Sequence, residues 1–138
     1  MADFELFDHT ADVGIVARGA DLKEAFATAA YAVFNLIADL GTVSEGTSLD
    51  VEVEAPDRES LLVSWLNELL YQSDVEETLF KRFEISEMDD CRLKAKVHGE
   101  RIDPSRHGLK TQVKAATYHG LKIEEKGGKV EVRVILDI

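Results

Sequence analysis

The chain has 138 residues, 45% of them hydrophobic, which is enough apolar material for one core and too little for two. No segment approaches the roughly 20 apolar residues of a membrane-spanning helix, and no leader opens the chain, so we expect a cytoplasmic protein without a membrane partner. The single cysteine, Cys91, excludes an internal disulfide and any Cys-x-x-Cys metal or redox site.

The formal net charge of −11 conceals an uneven distribution. Residues 1–91 include 21 acidic and 5 basic side chains, whereas residues 92–138 include 6 acidic and 11 basic ones. An acidic protein is poorly suited to RNA, so we expect weak or no direct RNA binding and a basic protein surface as partner. A set of basic residues could still bind phosphate or an acidic patch, or could be solvated surface: Lys94, Lys96, Arg101, Arg106, Lys110, Lys114 and Lys122.

The chain opens with two predicted strands and a helix. Residues 4–7 and 13–18 predict short strands on either side of a turn. Asp21 predicts a helix N-cap, and Glu24 follows at the spacing of a capping box. An apolar stripe continues this helix, which we expect to end near Gly41.

A third strand and a second helix follow. Apolar and acidic residues alternate over residues 49–55, which predicts a strand with one face buried and the other in water. Pro56-Asp57 breaks this strand and begins a helix in which leucines and Trp65 recur at helical spacing. We predict that Trp65 packs in the core.

The second half of the chain is predicted to be mainly strands. Residues 83–85 and 91–97 predict two strands joined by an acidic turn, and residues 118–124 and 129–136 predict a hairpin around Gly127-Gly128. The elements together indicate an α+β fold, a single domain over residues 1–138 whose antiparallel or mixed β-sheet is covered by two main helices.

Alternation also assigns individual side chains to the core. Cys91 shares its strand face with apolar residues and is predicted to be a core thiol. His119 falls on the face of Leu121 and Ile123 and is predicted to be a buried, hydrogen-bonded histidine. Tyr118 would then face outward, available to a partner.

Two aspartates lie at strand ends, where they could hold a cation. Asp12 precedes an apolar strand, and Asp137 lies at the end of the last strand, on the face opposite its valines. If these strands are neighbours, both carboxylates could face one hard divalent ion such as Ca²⁺ or Mg²⁺. The alternative is that each aspartate is a turn or capping residue.

The histidines offer no comparable site. His9, His98, His107 and His119 do not have the spacing that places two imidazoles on one helical face. The sequence also has no Walker A loop, no Gly-x-Ser-x-Gly elbow and no Cys/His pair. Nothing in these patterns requires an enzyme, and we predict that the protein is not one.

Motifs from the first strand to the last residue closely resemble the archease family, small proteins that assist the RNA ligase of tRNA splicing. They occur in the family's order along essentially the whole chain. The matching segments are His9-Thr10-Ala11-Asp12, Asp21-x-x-Glu24-Ala25-Phe26, Leu61-Leu62-x-x-Trp65-Leu66-x-Glu68-Leu69-Leu70, Val113 to Leu121, and Ile135-Leu136-Asp137-Ile138.

The resemblance implies a metal site and a partner. Its implied ligands are Asp12, Asp137 and the main chain or terminus of Ile138, holding a divalent metal, Ca²⁺ first and Mg²⁺ or Mn²⁺ as alternatives. Asp8, where some relatives have Glu, is an outer candidate only. The implied function is that of an accessory protein that activates the tRNA-splicing RNA ligase, promoting its guanylylation and multiple turnover in tRNA splicing and RNA repair.

Two other interpretations remain open. The resemblance also allows a chaperone-like partner of a tRNA-modifying enzyme, a tRNA cytosine-5 methyltransferase, with no metal requirement. A stand-alone metal-dependent hydrolase could instead use Asp8, His9, Asp12 and Asp137, and would turn over a phosphoester in isolation.

Overall fold

Two antiparallel sheets and two helices make up the computed structural model, which describes residues 3–9 and 12–138 and only the backbone of Asp8 and His9. The elements in chain order are β1 (Asp3–His9), β2 (Asp12–Gly19), α1 (Leu22–Ile37), a 3₁₀ helix (Leu40–Thr42), β3 (Thr47–Glu54), α2 (Arg58–Glu76), β4 (Thr78–Met88), β5 (Arg92–Arg101), β6 (Ala115–Lys126) and β7 (Lys129–Asp137).

The helices form a middle layer between the sheets. One sheet has the order β1-β2-β7-β6 and the other β3-β5-β4, and all neighbouring strands are antiparallel. Helix α1 packs on β2 and β4, while α2 packs on β6 and β3, so each helix contacts both sheets. The α+β fold with two main helices is confirmed, and the expected sheet is divided into two because helices that are apolar on several sides need cover on both.

One hydrophobic core joins the two sheets through the helices. Trp65 lies fully buried at its centre, as predicted, and its indole Nε1 donates a hydrogen bond to the Phe26 carbonyl at 3.0 Å. The Phe83 ring lies 6.4 Å from Trp65 and 5.7 Å from Phe34, measured between ring centroids. Helix α2 is therefore fixed to α1 by both packing and a directed bond.

Helix α1 begins as predicted but ends earlier. The Asp21 carboxylate accepts the Glu24 amide at 2.9 Å, and Glu24 in turn accepts the Ala20 amide at 2.8 Å. The helix ends at Ile37 rather than near Gly41. The loop that follows β5 causes this early end, because the Lys110 amide donates to the Ile37 carbonyl at 2.8 Å and Ala38 forms a β-bridge with a residue of that loop.

Cys91 is exposed, so its prediction as a core thiol was wrong. It lies in the turn before β5, and pairing between β3 and β5 stops at Glu54 and Arg92. The alternation that includes Cys91 therefore extends past the last residue that the sheet covers. Its thiol donates a hydrogen bond to the Pro56 carbonyl, with 3.6 Å between Sγ and the oxygen.

The buried position predicted for His119 was also wrong, since its side chain is exposed. Thr117 pairs with Ile135 and Lys122 with Arg133, so residues 118–121 lie opposite the single residue Val134. This bulge, with Gly120 at φ +64°, breaks the alternation on which the prediction depended. Tyr118 faces outward as predicted.

The N-cap of α2 gives a pH-dependent prediction. The Asp57 carboxylate accepts the Ser60 amide at 2.8 Å, and hydrogen bonds from Ser60 lower the pKa of Asp57. A lowered carboxyl pKa stabilises the fold above about pH 4, and this stabilisation is lost as the pH falls further. Asparagine also caps helices but does not titrate. Native protein should lose more stability than Asp57→Asn between about pH 5 and pH 2 in urea titrations, whereas parallel profiles would contradict this.

Within residues 3–9 and 12–138, no helix combines the length and the apolar character needed to cross a membrane.

Candidate metal site at the ends of β2 and β7

The two candidate aspartates lie directly opposite each other in the four-stranded sheet. Strand β2 pairs with β7 in a register that places Asp12 across from Asp137. Residues directly opposite on antiparallel strands project to the same face, with Cβ atoms about 4.5–5.5 Å apart. The strands that carry Asp12 and Asp137 are therefore neighbours, which is the condition that the sequence analysis set for a shared site.

The chemistry of the two side chains is compatible with a cation. Asp12 is half-buried and Asp137 is exposed. Like charges directly opposite on a sheet repel each other and destabilise it, and this repulsion disappears when a cation lies between them. Carboxylate oxygens are also the ligands that Ca²⁺, Mg²⁺ and Mn²⁺ prefer, so the donor chemistry fits a hard divalent ion.

The backbone fixes the end of β7. The Lys114 amide donates to the Asp137 carbonyl at 2.8 Å, and Ala115 of β6 pairs with Asp137 on the side away from β2. Ile138 follows immediately and is partly exposed. Asp137 is thus held from both sides while the chain beyond it stays accessible.

The structure identifies few side chains that could bind a metal at this site. The part of the chain that the structure describes contains no group of three or more His, Cys, Asp or Glu side chains suited to a metal. Further oxygens would come from the main chain or from Ile138. The backbone of Asp8 pairs with Val13 and that of His9 with Asp12, but both side chains, and Thr10 and Ala11 entirely, lie outside the described residues.

The outer edge of β6 is closed beside this site by Asn67, a residue that sequence reasoning missed. The Asn67 Oδ1 accepts the Ala116 amide at 2.7 Å, and its Nδ2 donates to the Ala116 carbonyl at 3.2 Å. The side-chain amide of Asn67 thereby makes the hydrogen bonds that a further strand would make with this edge strand. A polar residue among the leucines of α2 was the only signal in the sequence.

Loss of the two hydrogen bonds between Asn67 and Ala116 should lower the stability of the protein. In Asn67→Ala, the buried Ala116 amide and carbonyl lose their partners, so we expect the free energy of unfolding to fall by about 1–3 kcal/mol. Urea unfolding measures the loss. Asn35→Ala on α1 is the matched control, because no hydrogen bond joins the Asn35 side chain to the described residues, and it should stay within about 0.5 kcal/mol of native. Equal losses in both variants would contradict a stabilising role for the hydrogen bonds of Asn67.

The outer sheet face next to the aspartates carries an aromatic ring and a guanidinium group. Phe7 pairs with Gly14, and its ring occupies the space above it: a Cβ at Gly14 would lie 1.9 Å from the ring. The Arg133 Cζ lies 4.1 Å from the centre of the same ring. Sequence reasoning missed this group, because the contact joins three strands.

Comparison with known proteins identifies the family. The Archease protein family (MTH1598/TM1083) matches residues 4–138. The chain belongs to the archease family. Archeases of Sulfolobus acidocaldarius and Pyrococcus furiosus are 40% and 41% identical to it, and each alignment covers 100% of both chains. The resemblance seen in the sequence is thus confirmed.

Solved structures agree with this fold. Protein 1598 of Methanobacterium thermoautotrophicum, solved in solution, is 41% identical, has a TM-score of 0.83 and aligns over 98% of each chain. A crystal structure from Thermotoga maritima, described as an archease and possible chaperone, has a TM-score of 0.69 over 96% of this chain and 94% of its own. At 19% identity, the second comparison supports the fold alone.

The basic residues of this archease do not form one patch. Lys94 and Lys96 lie on β5 in the three-stranded sheet, whereas Lys122 lies on β6 in the other. Four of the seven candidates form salt bridges with carboxylates: Lys94 with Glu87, Arg101 with Glu77, Arg106 with Glu100 and Lys122 with Glu124. Their dispersion favours solvated surface charge.

The described histidines of the archease chain do not meet in one site. His107 is buried in the loop after β5, where its Nδ1 accepts the Asp103 amide at 2.9 Å and its Nε2 lies 2.9 Å from Glu100. Because Nδ1 is an acceptor, Nε2 carries the proton and donates to Glu100. His98 lies on β5, and His119 lies on β6. His107 therefore has a structural role, because its two ring nitrogens hold the loop after β5 in place.

A groove of this archease reaches the beginning of β6, the strand next to β7. It has a volume of about 900 Å³ and lies between the second half of α2 and the segment after β5. Leu70, Tyr71, Ile102 and Leu109 line it, and it extends to Ala115, the residue paired with Asp137. Tyr71 and Leu109 are largely exposed, as apolar residues at protein-binding surfaces are.

Proposed function

We propose that this archease-family protein is an accessory factor that activates the tRNA-splicing RNA ligase by promoting its guanylylation and multiple turnover. The observation that carries the proposal is the opposed pair Asp12 and Asp137 in a chain that matches the family over residues 4–138. Such a ligase joins a 2',3'-cyclic phosphate or 3'-phosphate end to a 5'-hydroxyl through a guanylylated histidine. Placing phosphates and metal correctly is a large part of the barrier to such a reaction.

The proposed ligands are Asp12, Asp137 and Ile138, with Ca²⁺ as the first expectation and Mg²⁺ or Mn²⁺ as alternatives. A bound divalent ion would supply Lewis-acid stabilisation and orientation of phosphate oxygens. The chain's own contribution is a pair of carboxylates set at one sheet end, with the Lys114 amide holding the strand at Asp137. Its acidic surface would meet the basic mouth of the ligase active site.

Turnover of the ligase tests this proposal. A sub-stoichiometric amount of native chain should raise the number of RNA joining events per ligase molecule, and Asp12→Ala should not. Asp50→Ala is the control, since Asp50 is an exposed strand aspartate of the other sheet. Full stimulation by Asp12→Ala would remove the metal from the mechanism, while no stimulation by native chain would remove the ligase.

A second candidate is a chaperone-like partner of a tRNA cytosine-5 methyltransferase. It is favoured by the exposed apolar side chains of the groove and by the description of the Thermotoga maritima relative as a possible chaperone. This function predicts less aggregation of the methyltransferase in the presence of the chain, with no effect of Asp137→Ala. Light scattering during heating distinguishes it from ligase activation.

A further inference from the structure

The groove between the second half of α2 and the segment after β5, which we call the α2 groove, gathers exposed apolar side chains. Tyr71 and Leu109 line it with 60% and 49% of their surface exposed, and Val75, 54% exposed, lies about one turn beyond Tyr71 on α2. Only six large apolar side chains of the described residues are exposed, and half of them lie at this groove. Such a concentration is typical of a protein-binding surface.

Two lysines on one wall of the α2 groove have no acidic partner. Three of the seven candidate basic residues form no salt bridge with any side chain that the structure describes, and two of these three, Lys110 and Lys114, line the groove. On the α2 wall, Glu77 is bound by Arg101, which leaves Asp74 as the unpaired carboxylate among the described lining residues. The wall after β5 is thus positively charged, although the net formal charge of the protein is −11. Charge complementarity favours a partner that brings carboxylates to this wall.

The same wall contains main-chain amides without a partner. No hydrogen bond joins the amides of Gln112 and Val113 to any residue that the structure describes. The chain is fixed on both sides of them, because the Thr111 amide donates to a carbonyl of α1 at 3.1 Å and the Lys114 amide donates to the end of β7 at 2.8 Å. The unpaired amides therefore lie in a segment held at both ends, and they can donate to the carbonyls of an incoming chain.

An extended chain is the form of partner that fits these features. When an extended segment adds to a protein, main-chain hydrogen bonds supply affinity, and every second side chain points to the same side. A helix would leave the amides of Gln112 and Val113 unpaired, since its own carbonyls are already bonded within the helix. Side chains that enter the groove meet its apolar lining, whereas side chains that point out of it can reach the two exposed lysines.

We propose that the α2 groove binds an extended segment of a partner protein in which apolar side chains alternate with carboxylates. The apolar side chains pack against Tyr71 and Leu109, and the carboxylates pair with Lys110 and Lys114. The inference rests on the proposed function only in that the chain has a protein partner, and it requires neither the metal nor the ligase. The groove thus differs from the aspartate pair, whose charge suits a basic partner.

Fluorescence anisotropy with the full chain tests this proposal. The probes are three fluorescent peptides, one of alternating leucine and glutamate, one of alternating leucine and lysine, and one of alternating serine and glutamate. The leucine–glutamate peptide should bind with a Kd below about 1 mM and at least about tenfold more tightly than the other two. The lysine peptide is repelled by Lys110 and Lys114, and the serine peptide has no apolar side chain for the groove.

Variants of both walls locate the binding site. Tyr71→Ala should raise the Kd of the leucine–glutamate peptide about tenfold or more. Lys110→Glu should raise it about tenfold and should lower the Kd of the leucine–lysine peptide. The matched controls are Tyr118→Ala, an exposed ring of β6 outside the groove lining, and Lys96→Glu, an exposed lysine of β5 that forms no salt bridge with the described residues. Both controls should bind the peptide as the native chain does.

Amide hydrogen exchange completes the test, since the bound leucine–glutamate peptide should slow exchange at Gln112, at Val113 or at both. Unchanged exchange at both amides overturns the inference, as does the absence of binding, or an equal effect of Lys110→Glu and Lys96→Glu. A short RNA that binds in place of the peptide also overturns it, because the lysines would then bind phosphate. A chain that binds the peptide as described upholds the inference even if it does not activate the ligase, whereas activation without peptide binding overturns the inference alone.

Discussion

Replacing Trp65 with alanine is expected to lower the free energy of unfolding by about 3–5 kcal/mol. Trp65 is fully buried between the helices and the three-stranded sheet, so its removal leaves a large cavity. The variant also loses the hydrogen bond to the Phe26 carbonyl. Since domains of this size are commonly stable by only 5–15 kcal/mol, the loss should be visible as a large fall in the urea midpoint.

Two further variants show whether the cause is packing at this site. Trp65→Phe keeps part of the volume and should lose less, about 1–3 kcal/mol. Tyr71→Ala on the same helix removes a largely exposed ring and should change stability by about 0.5 kcal/mol or less. If Trp65→Ala and Tyr71→Ala cost the same, the indole would not be a central element of the core.

Removal of the Asp137 carboxylate should have the largest effect on metal binding. We expect Asp137→Ala to weaken Mn²⁺ or Ca²⁺ binding by about a hundredfold, because one of two opposed carboxylates and its charge are lost. Calorimetry or Mn²⁺ spin resonance measures the Kd. Asp50→Ala, in the other sheet, should bind as the native chain does.

Metal should also change which protein is more stable, the native chain or Asp137→Ala. In chelator, Asp137→Ala should be at least as stable as the native chain, since repulsion with Asp12 is removed. At a metal concentration a hundred times the native Kd, the native chain should gain about 2.7 kcal/mol and the variant much less. A native chain that gains nothing from metal would show that the pair does not bind it.

Much of the fold follows from local signals in the sequence. Asp21 and Asp57 cap the two helices where the sequence predicts them, because a carboxylate that accepts an amide two or three residues later acts within one turn. The buried face of β3 and the position of Trp65 follow from apolar periodicity alone. The opposition of Asp12 and Asp137 required one additional assumption, that their strands are neighbours.

The remaining features depend on contacts between distant parts of the chain. Alternation placed Cys91 and His119 in the core, but the end of a sheet and a bulge decide their exposure. Asn67 is explained only by the edge strand that it closes. The stack of Arg133 on Phe7 needs the register of three strands and the missing side chain of Gly14, and no local pattern contains that information.

Covalent guanylylation of the cognate tRNA-splicing RNA ligase is the reaction step that this chain should accelerate. The ligase is incubated with GTP and Mn²⁺, with and without a sub-stoichiometric amount of this chain, and the ligase–guanylate adduct is followed over time. We expect faster adduct formation with the native chain and no acceleration with Asp137→Ala. An adduct that forms at the same rate with and without the native chain would contradict it.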